Sequence, residues 1–153
     1  MLRRLFLISL IIVAVAAACK AQSTTSASKK IVSGQAVSAV KSSPAYAEII
    51  LRRTERESEL EEFLLDYTEE FPKVKEIRFE INLLQKETEK MLAVPASDAG
   101  KLTLALGKLI IRKVELETDL WNLRRQYADD HAEVKRAKRK IEIFERAVKE
   151  ILP

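Results

Sequence analysis

Across 153 residues the chain has one cysteine, one histidine, three glycines and four prolines, and only 6% of it is aromatic. Each scarcity excludes something. A lone cysteine, Cys19, forms no internal disulfide and rules out paired-cysteine metal spacing. Few glycines and prolines argue against a turn-rich β fold. The low aromatic content leaves little material for a wide globular core. Nor is there a glycine-rich phosphate loop, an HExxH pair or a GxSxG elbow, so no residue constellation supports an enzyme or a cofactor. His131 stands among Asp129, Asp130 and Glu133, a charged stretch that reads as a solvated surface and not as a metal site. The carboxylate clusters Glu59, Glu61, Glu62 and Asp129, Asp130 lack the apolar surroundings that acid–base work needs.

Acidic residues are absent before position 44, where six basic residues lie. The remainder carries 21 basic against 23 acidic residues, so the formal charge of +4 is a property of the leader region. The folded part lacks the basic footprint of a nucleic-acid binder, and nothing in it suggests a small-molecule substrate.

What is present begins with MLRR followed by the apolar run LFLISLIIVAVAAA. That is the layout of a secretory signal peptide, over residues 1–21. The run is short for a membrane span, which needs roughly 20 apolar residues. Arg3-Arg4 resembles a twin-arginine signal, but so short and apolar a run suits general secretion better. Cys19 follows Ala16-Ala17-Ala18, where a bacterial lipoprotein carries its lipid-accepting cysteine; ordinary cleavage after Ala18 or Ala21 is the alternative. Residues 22–43, rich in Ser, Thr, Ala and Lys, read as a flexible tether. An exported, periplasmic protein follows, attached to the membrane if Cys19 is lipidated.

Residues 44–153 have aliphatic and charged composition at helical spacing and predict an all-α domain. Residues 44–92 align with 104–152 without gaps at 11 of 49 identical positions, so the domain reads as a duplication: repeat 1 over 44–93, a loop over 94–100, repeat 2 over 101–153. Apolar residues at 3-4 spacing run from Leu60 to Met91 and from Leu120 to Ile151, a coiled-coil seam. The seam keeps phase through YTEEFPKV (67–74) and YADDHAEV (127–134), neither of which holds the Gly or Asn that usually reverses a helix. Pro72 therefore reads as a kink. VPASDAG (94–100) reads as the turn, with Ser97 or Asp98 capping the next helix.

The expectation is a long antiparallel coiled-coil hairpin, each arm about 75 Å at 1.5 Å per residue. Repeat 1 is acidic and repeat 2 basic, and the hairpin register sets ESELEE (57–62) against VKRAKR (134–139). The alternative is a four-helix bundle of two αα-hairpins reversing at Tyr67 and Tyr127, which sets ESELEE against 79–84. Both tyrosines fall on seam positions and are expected in the core. Trp121 reads as packed on the neighbouring arm or as a contact for a protein partner. The exposed seam surface left by two helices predicts self-association.

Tyr67, Pro72 and Val74 in the first copy, and Tyr127, His131 and Val134 in the second, each keep part of a Tyr-x3-His-Pro-x-Val pattern ahead of a basic heptad helix. In this the chain resembles the periplasmic coiled-coil segment of bacterial polysaccharide chain-length determinants and related exopolysaccharide export proteins. The resemblance covers the helical part alone. It implies a periplasmic helical rod near export machinery, without implying control of polymer length. Two functions are thus expected: a non-catalytic envelope scaffold or spacer, or a holdase chaperone gripping unfolded clients between helical arms.

Overall fold

The computed structural model of the chain describes residues 37–153. The expectations for the signal peptide, Cys19 and most of the tether fall outside them. Among the described residues all regular structure is helical: α1 (Pro44–Asp66), α2 (Pro72–Leu92), a 3-10 segment (Ala96–Lys101), α3 (Leu104–Arg124) and α4 (Ala132–Ile151). None of these helices is long and apolar enough to cross a membrane.

The helix starts are written locally. Ser43 and Thr103, sixty residues apart, each accept a hydrogen bond from the backbone N–H three residues on, at 3.3 Å, and so satisfy an orphan donor of the first turn. Thr103, not Ser97 or Asp98, is thus the cap of α3. Pro44 and Pro72 stand at first helical positions, where the missing N–H costs nothing.

Pro72 therefore starts a helix where a kink was expected, and the chain reverses at both tyrosine segments. Arg52 and Arg56 of α1 both reach Glu80 of α2, and Glu59 lies 4.0 Å from Lys73. Such pairs require α1 and α2 to run antiparallel side by side. The corner is built without any positive φ. Tyr67 leaves the helix in the extended region (ψ 154°), the Phe71 N–H donates to the Thr68 carbonyl at 3.0 Å, and the Tyr67 and Phe71 rings stack at 4.1 Å. The second copy repeats it: the His131 N–H donates to Ala128 at 3.0 Å, and Tyr127 and His131 stack at 4.3 Å. Lack of Gly or Asn excludes a left-handed helix cap, but not an extended exit closed by a turn.

The long hairpin is therefore corrected to two αα-hairpins, α1/α2 and α3/α4. These are stacked and not closed into a ring. Helix α3 packs on α1, α2 and α4, whereas α1 and α4 are not a packed pair. The pairs Ala45/Gly107 and Arg52/Glu115 place α1 parallel to α3; Glu76/Asn122 and Glu87/Lys113 place α2 antiparallel to it. ESELEE consequently faces neither 134–139 nor 79–84. Glu59 meets Lys73 instead.

The main core gathers Ala45, Ile49, Leu84, Met91, Leu102, Leu106, Ile110 and Val114 at the end away from the corners. Val40 is fully buried in it and residues 37–41 are helical, so the last part of the segment read as tether belongs to the domain.

Candidate functional site

The corner residues separate into two roles. Val74 and Val134 are fully buried and anchor α2 and α4 to their partner helices. Tyr67 and Tyr127, expected in the core, are 46% and 41% exposed, because the chain has already left the helix where the seam phase put them. Exposed His131 caps α4, its Nδ1 accepting from the Glu133 N–H at 3.3 Å. Arg78 pairs with Glu69 in one corner and Lys138 with Asp129 in the other, the same nine-residue brace used twice. Hydrogen bonding from Arg124, aided by its charge and that of Lys138, holds the Asp129 carboxyl below the usual carboxylate range.

Trp121 stacks on Phe79 of α2 at 5.1 Å, and the Arg125 guanidinium lies 4.8 Å from its ring centre. The indole is thus engaged within the domain, at the α2/α3 interface, as a cation–π and aromatic contact.

Two charged clusters join the helices. In the first, Glu80, only 5% exposed, accepts from Arg52 and Arg56 at 3.1 and 3.0 Å, while Arg52 also reaches Glu115 of α3 at 3.1 Å. Three helices are tied through the Arg52 guanidinium, which bridges the buried Glu80 and Glu115, a geometry that charge-assisted bonds make strong and specific. In the second, Lys113 of α3 donates to Glu87 of α2 at 2.8 Å with both residues buried, and Lys90 reaches the same carboxylate at 2.7 Å. Burial alone would raise the Glu87 pKa; the hydrogen bonds from Lys113 and Lys90 outweigh it and bring it below the ordinary value.

Glu117 lies one turn along α3 and has the opposite balance. Burial pushes its carboxyl up, attraction to Lys113 and Lys90 opposes this, and the like charges of Glu87 and Glu145 add to it. Glu87, Lys90, Lys113 and Glu145 rim a cleft of about 250 Å³ between α2, α3 and α4, floored by Met91, Ile110, Val148 and Leu152. A raised carboxylate pKa means that the ionised form is disfavoured in the fold. The resulting cost is absent below the ordinary carboxylate pKa of about 4 and is felt in full above the raised one. Glu117→Gln should therefore raise the melting temperature by ~2 °C at pH 7, equivalent to a few tenths of a kcal/mol, and leave it unchanged near pH 3. A pH series of thermal melts checks both halves.

Sequence reasoning missed Glu80, Glu87 and Lys113. Their signal was positional: Glu80 and Glu87 flank Leu84 at helical spacing, and Lys113 lies three residues from both Ile110 and Leu116, so all three lie on the apolar stripe. Among the described residues no group of three His, Cys, Asp or Glu side chains is placed to hold a metal ion. The chemistry available here is complementary charge above an apolar floor, suited to contact. Comparison of the chain with protein-family models, with curated proteins and with solved structures finds no match.

Proposed function

We propose that the chain is an exported, non-catalytic interaction module of the bacterial envelope, a short array of helix pairs carried behind a signal peptide. The observation that carries this reading is the stacked duplication. Two hairpins of one design bury their charged groups against one another, while among the described residues no helix packs on the outer sides of α1 and α4. Units that stack through repeated edges serve recognition over a surface. The apolar leader and Cys19 support export and lipid anchoring, and the Tyr67 and Tyr127 motifs support a place beside polysaccharide export. The expected 75 Å rod is replaced by a shorter body, so the role shifts from spacer toward scaffold.

Mass spectrometry of the protein from a bacterial host tests the export half. The expected N-terminus is a diacylglyceryl-modified Cys19, or a residue just after Ala18 or Ala21; one that still bears Met1 overturns the reading. A client-aggregation assay tests the rest. No suppression by the purified protein is expected, because α3 fills the space between α1 and α2 on one side and α4 on the other, leaving no open arms. Suppression at near-stoichiometric ratios would favour the holdase instead.

A further inference from the structure

The offset of 60 residues that relates α1 to α3 and α2 to α4 also relates the contacts between the hairpins to the surfaces left open. Repeat 1 offers α2 and one side of α1 to α3. Repeat 2 has the equivalent surface, formed by α4 and one side of α3, on which no further helix packs among the described residues. The receiving side of α3 likewise has its counterpart on the outside of α1. Shifting each observed contact by one repeat shows what a further copy would meet.

Glu76 bonds Asn122 at 2.8 Å, and Phe79 stacks on Trp121. One repeat on, these become Arg136 against Glu62 and Arg139 against Glu61, both opposite in charge, and all four side chains are exposed. The Arg52–Glu115 bridge becomes Arg112 against Glu55, whose side chains are 53% and 55% exposed. The close Ala45/Gly107 crossing becomes Ala105 against Ala47, again small against small and both exposed. Ile143 takes the place of the half-buried Leu83 yet is 55% exposed, and Leu51 on the outside of α1 is 57% exposed. Charge agrees over whole helices: α1 holds seven acidic and three basic residues, α4 seven basic and four acidic. The complementarity between ESELEE and VKRAKR, unused within one molecule, is available between two.

We propose that a second copy of this chain docks its α1 edge on the α3/α4 edge of the first, continuing the repeat step between molecules. The inference deepens the scaffold reading and rests on it. The contact is heterologous, so it does not close on itself and extends into a chain of copies. Stacked helix pairs commonly need three or more units to bury a continuous core, and two units leave both ends uncovered.

The test is sedimentation velocity on the full chain in a mild non-ionic detergent, over a concentration and salt series. The unaltered chain should form a concentration-dependent series extending past the dimer, weakened by salt. Arg136→Glu/Arg139→Glu on one edge, or Glu61→Arg/Glu62→Arg on the other, should each weaken association at least tenfold. Mixing the two variants, or placing all four changes in one chain, should restore it. Arg112→Glu with Glu55→Arg provides a second, independent rescue pair should the first variants lose their helical circular dichroism. A monomer at all concentrations, a dimer indifferent to these swaps, or failure of both rescues overturns the proposal. A monomeric chain that is exported and holds no clients leaves the scaffold reading standing; retention of Met1 removes that reading without touching the association result.

Discussion

Gly107→Leu is expected to destabilise the domain by about 3 kcal/mol or more, the upper range for overpacking a close contact. At Gly107 the backbones of α1 and α3 nearly touch: a Cβ there would lie 3.0 Å from the Ala45 Cα and 3.1 Å from the Glu48 Cβ. The obstacle is main chain, which cannot swing aside as a long side chain does. The helices would have to separate, opening the core around Leu106 and Ile110 and straining the Ala45 N–H to Leu102 carbonyl bond of 3.2 Å. Gly107→Ala gains about 1 kcal/mol of helix propensity and still meets that backbone. It should come out a net loss of about 1 kcal/mol. Urea unfolding of the three proteins checks the order Gly, Ala, Leu; equal or greater stability of the leucine variant would show that the crossing is looser than described.

Glu87→Leu is expected to cost about 3 kcal/mol, near the lower end for breaking a buried ion pair. Lys113 would remain buried without its 2.8 Å acceptor, and the value stays at the lower end because Glu117 lies close enough to attract it. The double variant Glu87→Leu/Lys113→Met should recover to within about 1 kcal/mol of the unaltered chain or exceed it, since an apolar pair of similar volume pays no desolvation. The pH response follows from the depressed Glu87 carboxyl. Its contribution is present above the ordinary carboxylate pKa of about 4 and is lost as pH falls through the depressed value. The single variant should therefore converge with the unaltered chain in strongly acidic solution, whereas the double variant, which holds no buried lysine, should be the more stable of the three there. A thermal double-mutant cycle at neutral and acid pH measures both effects; additive losses would show that the pair is not coupled.

Much of this was legible in the residues. The 60-residue period, the helical character and the buried stripe through Val74, Ile77, Leu84 and Met91 all follow from spacing, because a helix has only one way to put every third or fourth residue on a face. The corners were misjudged at Tyr67 and Tyr127. Their apolar phase happens to persist across connections of five and seven residues, and the reversal uses extended backbone, which leaves no glycine as a marker. The charged clusters escaped because any Glu on a charged helix reads as solvated until a second helix is laid over it.

By itself, then, the amino-acid order determined local matters: helical character over residues 44–153 and an apolar pattern that recurs after 60 residues. Tertiary structure alone decided which helices are neighbours. Local propensity and periodicity are blind to direction, so an unbroken seam is equally consistent with a straight arm and with one folded on itself. Only the packing of α3 against three helices at once, with Gly107 at the crossing and Glu80 and Glu87 as buried acceptors, separates the two.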